Sequence, residues 1–80
     1  MKIKVKLYAD LRQFAPPGTG LGEAFEVQLQ EGTLEELLSL LDIPKERTRL
    51  VLVNGVHHTD SRNPFVTGDL VVLFPPIGGG

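Results

Sequence analysis

The sequence closes on Phe74-Pro75-Pro76-Ile77-Gly78-Gly79-Gly80, and this run holds its most unusual chemistry. Proline lacks an N–H and fixes φ, so Pro75-Pro76 cannot continue a sheet ladder and stiffens the exit from one. The three glycines beyond it carry no side chain at all. Such a tail bends freely, threads a narrow channel and presents a bare α-carboxylate to another protein's active site. With a pKa of about 3.3–3.7 that carboxylate is ionised at neutral pH and a poor acyl donor. It needs activation, most simply adenylation by ATP on a partner enzyme. Ordering three residues costs roughly 3–6 kcal/mol, which a partner's groove must offset. The plain alternative is a frayed terminus or a cloning scar.

Other candidates carry less. Gly18-Thr19-Gly20-Leu21-Gly22 is glycine-rich, but it follows prolines rather than a strand and lacks a lysine. It fails the context of a phosphate loop and reads as a flexible loop. His57 and His58 are neighbours on an expected strand, so they point to opposite faces and cannot chelate one ion together. No metal site is expected. Lys2, Lys4 and Lys6 form a basic stripe whose plain role is to solvate a strand face; attraction of an acidic partner is the sharper one. Glu35 and Glu36 lie in the first turn of an expected helix, where carboxylates suit the dipole. No nucleophile–base or acid–base pair is placed in a cleft.

Size and composition agree with a part that docks rather than one that catalyses. At 80 residues the chain is one small domain, with little room inside for a deep substrate cavity. It has no cysteine, so a disulfide framework, a thiolate nucleophile and a Cys-ligated zinc are all excluded. A net charge of −2 argues against nucleic acid as the main partner. No apolar run approaches the ~20 residues that span a bilayer, and Met1-Lys2 opens onto alternation rather than a signal core. The expectation is a soluble cytoplasmic chain with no membrane or nucleic-acid partner.

Several elements must position the tail. Lys2 to Tyr8 alternates with period two, a strand with Ile3, Val5 and Leu7 inward. Asp10 to Phe14 is expected as a short helix capped by Asp10, with Gln13 reaching back to it. Ala15 to Ala24, with two prolines and three glycines, is a loop. Phe25 to Gln30 alternates again, with Phe25, Val27 and Leu29 inward. Thr33-Leu34-Glu35-Glu36 is a capping box, and Leu34, Leu37, Leu38 and Leu41 follow at helical spacing. Pro44 ends that helix or opens a single turn through Arg47. Leu50 to Val53 is a third strand, Asn54-Gly55 a type I′ hairpin turn, and Val56 to Thr59 the return strand. After a loop holding Asn63-Pro64, Gly68-Asp69 turns into Leu70–Phe74, a strand apolar on both faces.

The order is strand, strand, helix, strand, strand, strand. One helix covers only one face of a sheet. The expected fold is α+β: a mixed sheet of about five strands with one main helix across one face, and the first and last strands parallel in the middle. This is the ubiquitin-like β-grasp, here over residues 1–76, with 77–80 as a flexible Gly-rich tail. If Val71 and Leu73 face the helix, then Tyr8, Leu70, Val72 and Phe74 face away from it, with His57 expected on that same open side. Apolar residues on an uncovered face beside a threading tail form a partner site. Ordinary surface scatter, or a lid formed by the Ala15–Ala24 loop, is the competing account.

The chain resembles the MoaD/ThiS family of sulfur carriers through nearly its whole length, and within it the small subunits of molybdopterin synthase. The resemblance rests on Leu7-Tyr8-Ala9-Asp10-Leu11-Arg12, Val53-Asn54-Gly55, Gly68-Asp69 with Val71, and above all Phe74 to Gly80. No single piece is specific; their combination is. The resemblance implies that the Gly80 carboxylate is adenylated by an E1-like enzyme of MoeB type, which uses the ATP, and becomes a thiocarboxylate with sulfur from a sulfur-donating protein. The sulfur then passes to a pterin precursor held by the large subunit, of MoaE type, in a heterotetramer. Gly79 completes the terminal pair. Gly78 stands where small polar residues are common in the family, a minor departure. Ile77, Pro76, Pro75, Phe74, Val72, Leu70, Tyr8 and His57 are the further partner-binding residues. The implied carrier binds no cofactor stably and lends no catalytic side chain. A ubiquitin-type protein modifier shares the tail chemistry. A thiamine-pathway carrier fits less well, since those chains are usually shorter and lack Phe-Pro-Pro. A plain β-grasp interaction module with an incidental tail stays open.

Overall fold

The computed structural model describes residues 1–76. Five strands form one sheet in the order β2-β1-β5-β3-β4. They are β1 (Lys2–Leu7), β2 (Phe25–Gln28), β3 (Leu50–Val53), β4 (Val56–His57) and β5 (Leu70–Phe74), with helix α1 (Leu34–Leu41) between β2 and β3. β1 and β5 run parallel at the centre, with Val5 opposite Val71 and Leu7 opposite Leu73. β2 and β3 flank them antiparallel, and β4 hangs on β3. The β-grasp with its parallel central pair is the expected fold.

Alternation explains the layering. Ile3, Val5 and Leu7 of β1 and Val71 and Leu73 of β5 are buried, and they meet Val51 of β3 and Leu37 and Leu38 of α1 in one core. A helix of eight residues is too short to persist alone in water, so its stability comes from this packing. Thr33 caps it, its hydroxyl accepting from the Glu36 N–H at 3.2 Å. The capping box is modified at its other half. Glu36 does not return to Thr33 but reaches further back, accepting from the N–H groups of Gln30, Glu31 and Gly32 at 2.7, 2.8 and 2.9 Å. At the far end Asp42 takes the left-handed conformation at φ 59°. Ile43 then donates to the Leu38 carbonyl and Asp42 to that of Ser39, the paired bonds of a Schellman turn.

Three expectations need correction. Asp10 does not cap the first turn. Ala9–Phe14 is a 3-10 helix that starts after Tyr8 with no side-chain cap, and the Asp10 carboxylate instead accepts from Arg47 at 2.9 Å. An ion-pair partner 37 positions away outcompetes the local N–H. β2 and β4 are also shorter than their patterns. Yet pairing outlasts the strands: Met1 and Leu29 exchange both backbone bonds at 2.7 and 2.8 Å, and His58 donates to Val51 at 2.8 Å. Phe65 is a core residue that no periodicity signals. It plugs the loop after β4, 3% exposed, and donates its N–H to Gly32 at 2.6 Å.

Candidate docking face and tail exit

α1 covers one face of the sheet, and the other is open. Cross-strand partners share a face, so the register states what lies there. Leu50 stands opposite Phe74, Leu52 opposite both Val72 and His57, Lys6 opposite Val72 and Lys4 opposite Leu70. An apolar stripe on β3 and β5 is therefore bordered by the lysines of β1. Leu70, Val72 and Phe74 are half-buried, Tyr8 is 38% exposed and His57 is exposed.

The stripe ends at the tail exit. Tyr8, just past β1, stacks on Phe74, the last residue of β5, with ring centroids 4.8 Å apart and planes 8° from parallel. The parallel pairing of the two strands brings these rings together, since it carries both chains to the same edge of the sheet. The Tyr8 N–H donates to the Leu73 carbonyl at 3.2 Å and fixes the turn that follows. Ala9, at φ 54°, then swings the chain away. Tyr8, Phe74, Pro75, Pro76 and His57 line one open hollow of about 760 Å³ with Ala9, Arg49 and Leu50. Among the described residues no carboxylate lines it, and Arg49 is its charged group.

Five of the sequence-derived site residues thus meet in one hollow, and Leu70 and Val72 continue it along β5. Ile77, Gly78, Gly79 and Gly80 lie outside the described residues. Leu50, Leu52 and Arg49 were not among the expected site residues. The alternation in Leu50-Val51-Leu52 held the signal, but only the register with β5 turns it into a shared face. Only His57 lines the hollow; His58 packs tilted against Phe65 at 5.3 Å, and both histidines border a smaller cavity beside it. Among the described residues no three His, Asp or Glu side chains gather as a metal site, and no helix is long and apolar enough to cross a membrane. Among the described residues the hollow offers mostly apolar and aromatic contact area.

Comparison with known proteins agrees with this geometry. Subunit 1 in the complex of subunits 1 and 2 of the molybdopterin-converting factor from Helicobacter pylori superposes with a TM-score of 0.63 at 24% identity, each chain covered in full. Small archaeal modifier protein 1 of Haloferax volcanii gives 0.66 at 24% identity, over 95% of this chain and 98% of its own. A Pyrococcus furiosus chain assigned as molybdopterin converting factor, subunit 1, gives 0.65 at 25% identity over the same shares. Among curated protein sequences there is no match. The ThiS family model matches residues 5–80, from the second inward residue of β1 through the final glycine. Fold and family match together make the chain a member of the ThiS family, the ThiS/MoaD type of ubiquitin-like sulfur carrier.

Proposed function

We propose that this carrier is the sulfur-donating small subunit of a molybdopterin synthase, with Gly80 as the residue that bears the sulfur. The observation that supports this most is the exit of the central strand β5. It leaves the apolar hollow at Phe74 and enters Pro75-Pro76 directly. A partner that grips the hollow receives the segment after Pro76 at a fixed place and in a fixed direction. Burial of the Tyr8–Phe74 pair and the flanking leucines offsets the roughly 3–6 kcal/mol of ordering three glycines.

The chemistry then runs in two transfers. A carboxylate oxygen of Gly80 attacks the α-phosphorus of ATP on an E1-like activating enzyme, and pyrophosphate leaves. A sulfide equivalent from a sulfur-donating protein attacks the acyl carbon of the adenylate, and AMP leaves. The product is a thiocarboxylate. On the large subunit its sulfur passes to a pterin precursor, and water restores the carboxylate. The carrier contributes substrate atoms and a docking face; nucleotide, base and binding groups belong to its partners. The complexed state of the Helicobacter pylori neighbour supports a second subunit of that kind.

Mass spectrometry after incubation with activating enzyme, ATP and sulfur donor tests the reading. The expected result is an oxygen-to-sulfur mass gain confined to the Gly79-Gly80 fragment; no gain overturns it. Similarity to the Haloferax volcanii modifier supports a second reading, in which the same acyl carbon forms an isopeptide bond to lysine. Ladders of conjugates that vanish on deletion of Gly80 would establish that reading.

A further inference from the structure

A second cavity lies where the Lys45–Arg49 segment meets the loop after β4 and the first turn of α1. It holds about 160 Å³. Two of its polar atoms, Thr48 Oγ1 and His58 Nε2, are buried and take no hydrogen bond from any described residue. Buried polar atoms are normally paired, and each exception asks for a polar occupant. Lys45, Arg49 and Ser61 share the same wall. Among the described residues neither Lys45 nor Arg49 has a salt-bridge partner, whereas Arg47 between them is held by Asp10. Asp60, next to Ser61, is engaged by Arg62 at 3.4 Å. Among the described residues Glu35 is the one carboxylate on the cavity wall, and Leu38 and Val51 form part of its apolar lining.

We infer that this cavity binds a small tetrahedral oxyanion, of the phosphate or sulfate class. The Thr48 hydroxyl can donate to an occupant, His58 Nε2 donates in the tautomer that carries its proton there, and the exposed Lys45 and Arg49 add two cations at the rim. A water molecule satisfies the two buried atoms but brings no charge to the cations. An oxyanion does both, because its several oxygens take charge-assisted bonds from different directions. The cavity's modest size favours an ion over a larger ligand. The bound ion ties the segment that precedes β3 to the loop that follows β4. Arg49 belongs to both this wall and that of the docking hollow, so the ion also fixes one edge of the docking face.

Titration of the full chain with sodium phosphate, against sodium chloride at equal ionic strength, tests the inference. Amide resonances of Thr48, His58 and Ser61 should shift together along one saturable curve in phosphate alone. Phosphate also stabilises proteins generally by exclusion from their surface, so saturation and variants carry the decision. Thr48→Val and Lys45→Met should each weaken binding about tenfold or more, as loss of a hydrogen bond to a charged group does. Glu35→Gln, on an exposed helix position, should tighten it by removing a like charge. AMP in place of phosphate should bind far more weakly. Shifts that never saturate, or that are equal in all variants, mean solute exclusion only and overturn the site; AMP binding as tight as phosphate overturns the free-ion reading.

Discussion

Tyr8 and Phe74 lie face to face, 4.8 Å between ring centroids and 8° from parallel, although 66 positions separate them in sequence. Each follows the last buried residue of its strand, Leu7 or Leu73, and lies on the open face. Aromatic pairs of this geometry contribute about 0.5–1.5 kcal/mol beyond area burial. A double-mutant cycle of Tyr8→Ala and Phe74→Ala, followed by urea unfolding, should return a coupling near the lower end of that range, because the site is half-exposed. Binding to a large synthase subunit should suffer more. Phe74→Ala is expected to weaken it by about 2 kcal/mol, roughly 30-fold in Kd, as loss of a central aromatic anchor does. Calorimetry that finds no change in Kd would move the docking face elsewhere.

The second prediction concerns acid. Three backbone N–H groups, from Gln30, Glu31 and Gly32, converge on the Glu36 carboxylate. Its pKa falls below the ordinary 4.5: the Gln30 hydrogen bond is the strongest cause, desolvation opposes it, and the Gly32 and Glu31 bonds and the N-terminal ammonium reinforce it. The unfolded chain therefore binds the proton at a higher pH than the folded one does. The stabilisation is complete above 4.5 and disappears as pH falls through the lowered folded value. Glu36→Gln should be less stable than the parent at pH 7, and the gap should close as the pH drops below 4.5. Urea midpoints for both proteins between pH 7 and 3 check this. A gap that stays constant to pH 3 removes the carboxylate from the account.

How much of this was legible in the sequence depends on the distance over which each interaction acts. Alternation in Lys2–Leu7 and Leu70–Phe74 declared its buried residues correctly, because pleating alone sets which side chains share a face. Thr33 and Asn54-Gly55 were legible for the same reason: caps and tight turns are made by residues a few positions apart. The Asp10–Arg47 pair and the burial of Phe65 were not, since each is decided by a partner brought up from a distant part of the chain. The open face of the sheet falls between. Tyr8, Leu70, Val72, Phe74 and His57 could be assigned from period two, but Leu50, Leu52 and Arg49 join them only through the register of β3 with β5.

The third prediction separates structure from recognition in a motif that the family resemblance also uses. Asn54 sits at φ 52° in the hairpin turn. Its Nδ2 donates to Asp69 Oδ1 at 2.8 Å, and its Oδ1 accepts from the Leu70 N–H at 2.9 Å. The other oxygen of Asp69 accepts from the Val66 N–H at 2.8 Å. The Asn54–Asp69 clamp therefore locks the β3–β4 turn to the start of β5. Asp69→Ala removes two such bonds at an exposed site and should cost about 1–2 kcal/mol. Asn54→Ala should cost more than Asn54→Gly, because alanine keeps the left-handed strain while losing the bonds. Neither change should alter partner affinity once folding is complete. Denaturation ranks the three variants; a drop in affinity of the folded Asp69→Ala protein would make the clamp part of the interface.

The last prediction is a stabilising one. Asp42 ends α1 in the left-handed region at φ 59°, where a Cβ is strained and glycine is at ease. Its carboxylate also stands at the negative end of the helix dipole, the wrong sign for that position. Its side chain makes no hydrogen bond or salt bridge among the described residues, while its N–H and that of Ile43 close the Schellman turn in the backbone. The buried side chain of Ile43 beside Leu38 completes that motif and does not depend on residue 42. Asp42→Gly thus relieves two penalties and gives up only the greater freedom of glycine in the unfolded chain. The net gain should be about 0.5–1 kcal/mol, worth roughly 2–8 °C in Tm for a domain of this size. Asp42→Asn should recover the electrostatic part alone, and Asp42→Ala should lag behind Asp42→Gly because it keeps the backbone strain. Thermal unfolding of the three variants at one pH and salt concentration orders them, and Asp42→Ala equal to Asp42→Gly would mean that the left-handed turn carries no strain.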